Sequence, residues 1–205
     1  MLDKIVLDLE TKNSFADVGG KQNLHKLQIS LIGVYSYKRD EYLAFTEKEF
    51  HLFEKLLHES GVIVGFSIYN FDLPLIEKHF NYKFDDHIVL DILKEIEEKR
   101  GHKISLDELA LANIGQGKNG NGLEAIQLYK EGKIEELKKY CLNDVKITKE
   151  LYELILKKDH LIIPSKFHAP VKVPFNWLSL HRELEKKLEE LEKKRFATPS
   201  QNSLF

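Results

Sequence analysis

The chain has 205 residues, 42% hydrophobic and 31% charged, with a formal net charge of −2. This is the composition of a soluble globular protein with enough apolar residues for a core, and its length suits one domain or one domain plus an appendage. The near-neutral balance confines any nucleic-acid footprint to a local patch. A single cysteine, Cys141, excludes a disulfide framework and a multi-cysteine zinc site. No apolar run approaches a membrane span, and "MLDKIVLDLE" lacks the cationic and apolar segments of a secretory leader, so the cytoplasm is the expected compartment.

In chain order, β-branched and aromatic runs predict strands over 4–9, 28–36, 41–46, 62–66 and 87–90. Helical periodicity predicts helices over 47–59, 72–80, 91–100, 105–113, 122–130 and 133–157, with Pro74 in a first turn and Ser105 as an N-cap. Strands first, then strands alternating with helices, imply an α/β fold whose central mixed sheet of about five strands is flanked by helices. Residues 1–158 form the expected domain. Residues 159–176, punctuated by Pro164, Pro170 and Pro174, read as an extended linker. Residues 177–197 read as a charged amphipathic helix, and 198–205 as a flexible tail.

The first strand, "IVLDLETK", places Asp8 and Glu10 in an apolar run. Side chains two apart on a strand point the same way, about 7 Å apart at roughly 3.3 Å per residue. That suits two oxygen ligands converging on hard cations; a pair of surface acids on an edge strand is the alternative. Asp72 in "YNFDLPLI" follows an apolar strand and opens a helix, where it could also serve as a cap. Tyr140 and Asp144 in "KKYCLNDVKITKELY" lie four apart and share a helix face, as would a packed tyrosine beside a surface acid.

Taken together, Asp8-x-Glu10 followed by Thr11, then Phe71-Asp72, then Tyr140-x-x-x-Asp144 resembles the DEDD 3′–5′ exonucleases of the RNase H-like superfamily, in their tyrosine subclass. The resemblance runs from about residue 3 to 158. The segment from Gly117 to Tyr152 is similar to a bacterial and archaeal subgroup of that superfamily whose members often stand alone or sit beside helicase modules. One position departs: Ser67 occupies the slot four residues before Phe71 where the family usually has Asn, a residue with more hydrogen-bonding capacity. The resemblance implies an RNase H-like fold and a pair of Mg²⁺ or Mn²⁺ ions about 3.5–4 Å apart. Asp8 is then expected to bridge the ions, Glu10 and Asp144 to complete one site, and Asp72 to support the other. Tyr140 is expected to orient the attacking water. Cleavage from 3′ ends of nucleic acid, with single-stranded DNA the favoured substrate and RNA possible, would release nucleoside 5′-monophosphates.

Other residues carry two readings each. Asp91 is a helix N-cap or part of the substrate site, where Thr11, Ser67 and Phe71 are also candidates. Lys118, in the Gly115–Gly122 loop, could approach a phosphate, but the loop lacks the Walker A spacing. Lys138, Lys139 and Lys146 could touch backbone phosphates or form a solvated face. The terminal "QNSLF" is similar to the short motif by which bacterial replication and repair proteins dock on the DNA sliding clamp, through Gln201, Leu204 and Phe205. A clamp partner would favour DNA, and a role in repair or replication. The competing expectations are a 3′–5′ exoribonuclease and a non-catalytic nucleic-acid-binding adaptor recruited by the tail.

Overall fold

The computed structural model describes residues 2–117, 122–165, 169–177, 186 and 188–194. The expectations placed on Lys118 and on Gln201, Leu204 and Phe205 lie outside them. The strands are β1 (Asp3–Thr11), β2 (Ile29–Ser36), β3 (Glu41–Thr46), β4 (Ser60–Gly65) and β5 (Ile88–Asp91). They form one sheet in the order β3-β2-β1-β4-β5. β1 pairs antiparallel with β2 and β2 with β3, whereas β1–β4 and β4–β5 are parallel. The mixed five-stranded sheet is the one anticipated from the strand pattern.

The helices are α1 (Phe50–Glu59), α2 (Asp72–Phe80), α3 (Ile92–Arg100), α4 (Leu106–Ile114), α5 (Gly122–Lys130) and α6 (Ile134–Lys158). Ser105 caps α4 as its position predicts, its hydroxyl accepting from the Glu108 N–H in a reciprocal capping box. Alternation along β1 divides the core. Ile5, Leu7 and Leu9 pack toward α1 and α2 with Phe53, Leu57 and Ile76. Val6 packs on the other face, with Val145, Leu151 and Ile155 of α6. Asp8 and Glu10 share the parity of Val6 and therefore the α6 side of the sheet.

Three differences from the sequence pattern have physical reasons. A 3-10 helix at Lys21–Lys26 joins β1 to β2; its six residues are too few to show a period. Residues 159–176 do not simply link. His160–Ile163 and Val171–Pro174 pair as an antiparallel two-stranded sheet, here β6 and β7. Leu161, Ile163, Val173, Phe175 and Trp177 are buried in the α6-side core, so apolar burial holds the stretch against the domain. The helical residues 188–194 also turn back: Leu188 packs on that core, and Lys194 pairs with Asp86 at 2.8 Å.

Gly33 lets α6 lie close to the sheet. A Cβ there would sit 2.6 Å from Cys141 Sγ and 3.1 Å from Val145 Cγ2. On the neighbouring strand Gly33 is the register partner of Asp8. Gly33→Ala is expected to push α6 outward and cost about 1–3 kcal/mol, the usual penalty of overpacking. Denaturant unfolding measures it, and unchanged stability would contradict the tight contact.

Candidate active site

The parallel strands β1, β4 and β5 all end at the same side of the sheet, where open α/β sheets form their clefts. A cavity of about 630 Å³ lies there, lined by Asp8 and Glu10 of β1, Asp72 of α2 and Asp144 of α6, among others. Residues separated by more than 130 positions are thus brought to one cleft. Glu10, Asp72 and Asp144 are buried and Asp8 is half-buried.

Asp72 opens α2, but its carboxylate does not cap that helix. It crosses to β1 and accepts the Leu9 N–H at 3.1 Å. This contact ties α2 to the strand between Asp8 and Glu10. Burial, then the charge of Asp8, push the Asp72 carboxyl well above the usual carboxylate range, against the Leu9 N–H, which favours the anion.

Cys141 was singled out in the sequence only for being alone. In the fold it faces the acids: its thiol lies 3.4 Å from Asp8 Oδ2, and ligand atoms of Asp8, Glu10 and Cys141 all fall within 4.8 Å of one another. Burial and the nearby carboxylates push its pKa well above the ordinary thiol value, so it remains a neutral S–H. The donors left for a cation are carboxylate oxygens. Oxygen-only donors suit hard divalent ions such as Mg²⁺ or Mn²⁺, and a raised carboxyl facing a second acid is a place where such an ion relieves repulsion. The residues fit the cofactor that the motifs imply.

Ser67 and Phe71 line the same cleft. Ser67 has a left-handed backbone, φ 65°, a conformation that Asn adopts more readily than most residues. Asp91 does not line the cleft. Its carboxylate accepts four backbone N–H groups, from Ser67 at 2.8 Å, Tyr69 at 3.1 Å, Leu93 at 3.0 Å and Lys94 at 3.2 Å. It therefore caps α3 and also clamps the turn leading to Asp72. Thr11 is buried and its hydroxyl donates to the Asn13 carbonyl, 2.9 Å away. Tyr140 lies one turn before Asp144, as the spacing requires, but lines a separate cavity of about 330 Å³ with Glu124, Leu128 and Asn143. Lys139 lines that second cavity too, while Lys138 and Lys146 pair with Glu135 and Glu150 on the solvent face.

The model of the RNase H superfamily matches residues 7–156, most of the chain and all of the cleft's carboxylates. The chain belongs to the RNase H superfamily. A solved structure agrees on the fold: the family B DNA polymerase from the hyperthermophilic archaeon Pyrobaculum calidifontis is similar with a TM-score of 0.59 over 76% of this chain, at 16% identity. The match covers 25% of that polymerase chain, so this protein corresponds to about a quarter of it. No curated protein matches the sequence. Membership of the RNase H superfamily points to a nuclease, a hydrolase acting on nucleic acid, with divalent metal as the usual cofactor. No helix among the described residues is long and apolar enough to cross a membrane.

Sequence reasoning passed over part of this RNase H-like cleft. Phe15, Lys21, Asn70, Lys103 and Asp107 also line it. The signal available for the first two was the Gly19-Gly20 pair, which marks a tight turn between β1 and β2.

Two outcomes follow from the clustered charges. Because the Asp72 carboxyl is raised in the fold, its contribution is fully present below the unfolded value near 3.8 and is lost as pH rises through the higher folded value. Metal-free protein should therefore lose thermal stability as pH rises above the unfolded carboxyl value, a loss that Mg²⁺ reverses and Asp72→Asn reduces; scanning calorimetry of both proteins checks this. Asp91→Ala strands buried N–H groups and should cost about 2–3 kcal/mol, with Asp91→Asn in between by denaturant titration.

Proposed function

We propose that this protein is a metal-dependent 3′–5′ exonuclease of the DEDD tyrosine subclass, acting on DNA. The observation that carries the reading is the convergence of Asp8, Glu10, Asp72 and Asp144 on one cleft. Their types and order along the chain are those of that subclass.

In this reading the four carboxylates hold two divalent cations, which supply charge neutralisation and Lewis acidity at the scissile phosphate. The remaining work falls to the chain. β1 fixes Asp8 and Glu10 on one face, the Leu9 N–H fixes Asp72, and the packing of α6 over Gly33 fixes Asp144. Such rigidity keeps the ligand oxygens in place without reorganisation during reaction. Water attacks phosphorus in line, a P–O bond to the water oxygen forms, and the bond to the 3′-oxygen of the preceding nucleotide breaks. The products are a nucleoside 5′-monophosphate and a strand with a new 3′-hydroxyl. Tyr140, one turn before Asp144 on α6, orients the attacking water. Phenols in general are poor bases at neutral pH, so orientation is the assigned role.

The preference for DNA rests on the likeness of Gln201–Phe205 to a sliding-clamp docking motif. Clamp binding by the full-length protein but not by a version lacking 201–205 is the expected result, and equal binding would remove that support. Side-by-side digestion of DNA and RNA oligonucleotides decides between the sugars.

Purified protein should release 5′-mononucleotides from 3′ ends only with Mg²⁺ or Mn²⁺. Asp8→Ala and Asp144→Ala should reduce release to background, and Tyr140→Phe should slow it while leaving metal binding intact. Normal turnover by Asp144→Ala would falsify the assignment.

A further inference from the structure

The proposed mechanism gives Cys141 no role, yet the fold sets its sulfur among the acids. Cys141 is fully buried on α6. On one side it packs with Leu31, Ala125 and Leu137. On the other, Sγ lies 3.4 Å from Asp8 Oδ2 and 3.6 Å from the Asp8 carbonyl oxygen. One ligand atom each from Asp8, Glu10 and Cys141 fall within 4.8 Å of one another. Asp8 and Glu10 line the cleft, so an ion that reaches their carboxylates is also within reach of the sulfur.

These separations are those of a coordination shell. A tetrahedral zinc with Zn–S about 2.3 Å and Zn–O about 2.1 Å sets its sulfur and oxygen about 3.6 Å apart. The Asp8 oxygen and the sulfur already stand near that spacing. They are also held there. β1 carries Asp8 and Glu10, α6 carries Cys141, and Gly33 brings the two elements together, since a Cβ at 33 would lie 2.6 Å from Sγ. Donors fixed by a packed core need little ordering when an ion binds.

A hard ion has no use for the sulfur. Mg²⁺ and Mn²⁺ take oxygen donors, and beside them the thiol stays a neutral neighbour. A thiophilic ion differs, because sulfur is the donor it prefers. We infer that Cys141 is a third ligand for thiophilic divalent ions, Zn²⁺ or Cd²⁺, in a mixed site with Asp8 and Glu10, and that it thereby sets the metal selectivity of the cleft. On binding, a sulfur–metal bond forms as the S–H bond breaks, and the proton passes to solvent; no electron is transferred. An ion held in this way occupies Asp8 and Glu10, which the nuclease reading assigns to the catalytic pair, so it competes with Mg²⁺. Only that competition rests on the nuclease reading; the three-donor set stands on the geometry.

The test titrates CdCl₂ into the full-length, metal-free protein and follows the sulfur-to-metal charge-transfer band in the ultraviolet. The chain has one cysteine, so any such band reports Cys141. A saturable band is expected in the wild type, and Asp8→Asn and Glu10→Gln should each weaken the binding it reports. Absence of the band overturns the inference, as does a band of wild-type affinity in Asp8→Asn. Cys141→Ser should remove the band and raise the ratio of Mn²⁺ to Zn²⁺ affinity at least about tenfold, the low end for groups that merely support a ligand. An equal loss of both ions would mark a merely structural role and also overturns it. Mononucleotide release in Mn²⁺, measured alongside, separates the two readings. A carboxylate-dependent band without release supports the mixed site and removes the nuclease assignment. Release without a band does the reverse.

Discussion

The structure is organised around a repulsion. Four carboxylates are gathered in one cleft, three of them buried, where like charges raise one another's pKa and weaken the fold. The direction of the Asp72 shift, driven by burial and then by Asp8, is the local record of that conflict. Such a cluster persists only if the surrounding structure over-determines it. The over-determination is visible: β1 is sandwiched between apolar layers on both faces, and the Leu9 N–H holds Asp72 against the strand that carries its repelling neighbour. A divalent ion bound there would turn the least favourable feature of the metal-free fold into a source of stability.

The close approach of α6 extends the same logic. Gly33 opens the space that Cys141 fills, and Cys141 places its sulfur on Asp8. A larger residue at 33 would lift the helix that carries Asp144, so packing and ligand geometry depend on one missing Cβ. The thiol is small and nearly apolar, and it stays protonated. It therefore seats against a carboxylate without adding a fifth charge. Asp91 serves the opposite wall: an acid buried with four N–H donors fixes the turn that delivers Asp72.

Much of this was legible in the residues. β1, which carries the first motif, and β4, which precedes the second, showed β-branched runs, α6 carried an apolar helical period, and the parity of Asp8 and Glu10 followed from the pleat. What was not legible depended on contacts between distant segments. Asp72, taken alone, looked more like a helix cap, because local sequence cannot show that its carboxylate crosses to β1. Asp91 read as a cap or a substrate residue. It is a cap and a clamp, because its second pair of donors comes from a turn more than twenty residues earlier. The β6–β7 pair was hidden by its prolines and short strands; burial of Leu161, Ile163 and Val173, with Phe175 and Trp177 beyond them, shows that it belongs to the core.

The position of Tyr140 bears on how such a cleft would work. Helical geometry obliges it to share a face with Asp144, yet it packs with Leu31, Ala125 and Leu137 and lines the cavity between α5 and α6. In the proposed reading one helical turn carries Tyr140, Asp144 and, between them, Cys141, whose sulfur fills the space left by Gly33. The packing that seats α6 on the sheet would then hold the phenol and the ligand carboxylate in one fixed relation, so neither would have to be ordered during the reaction.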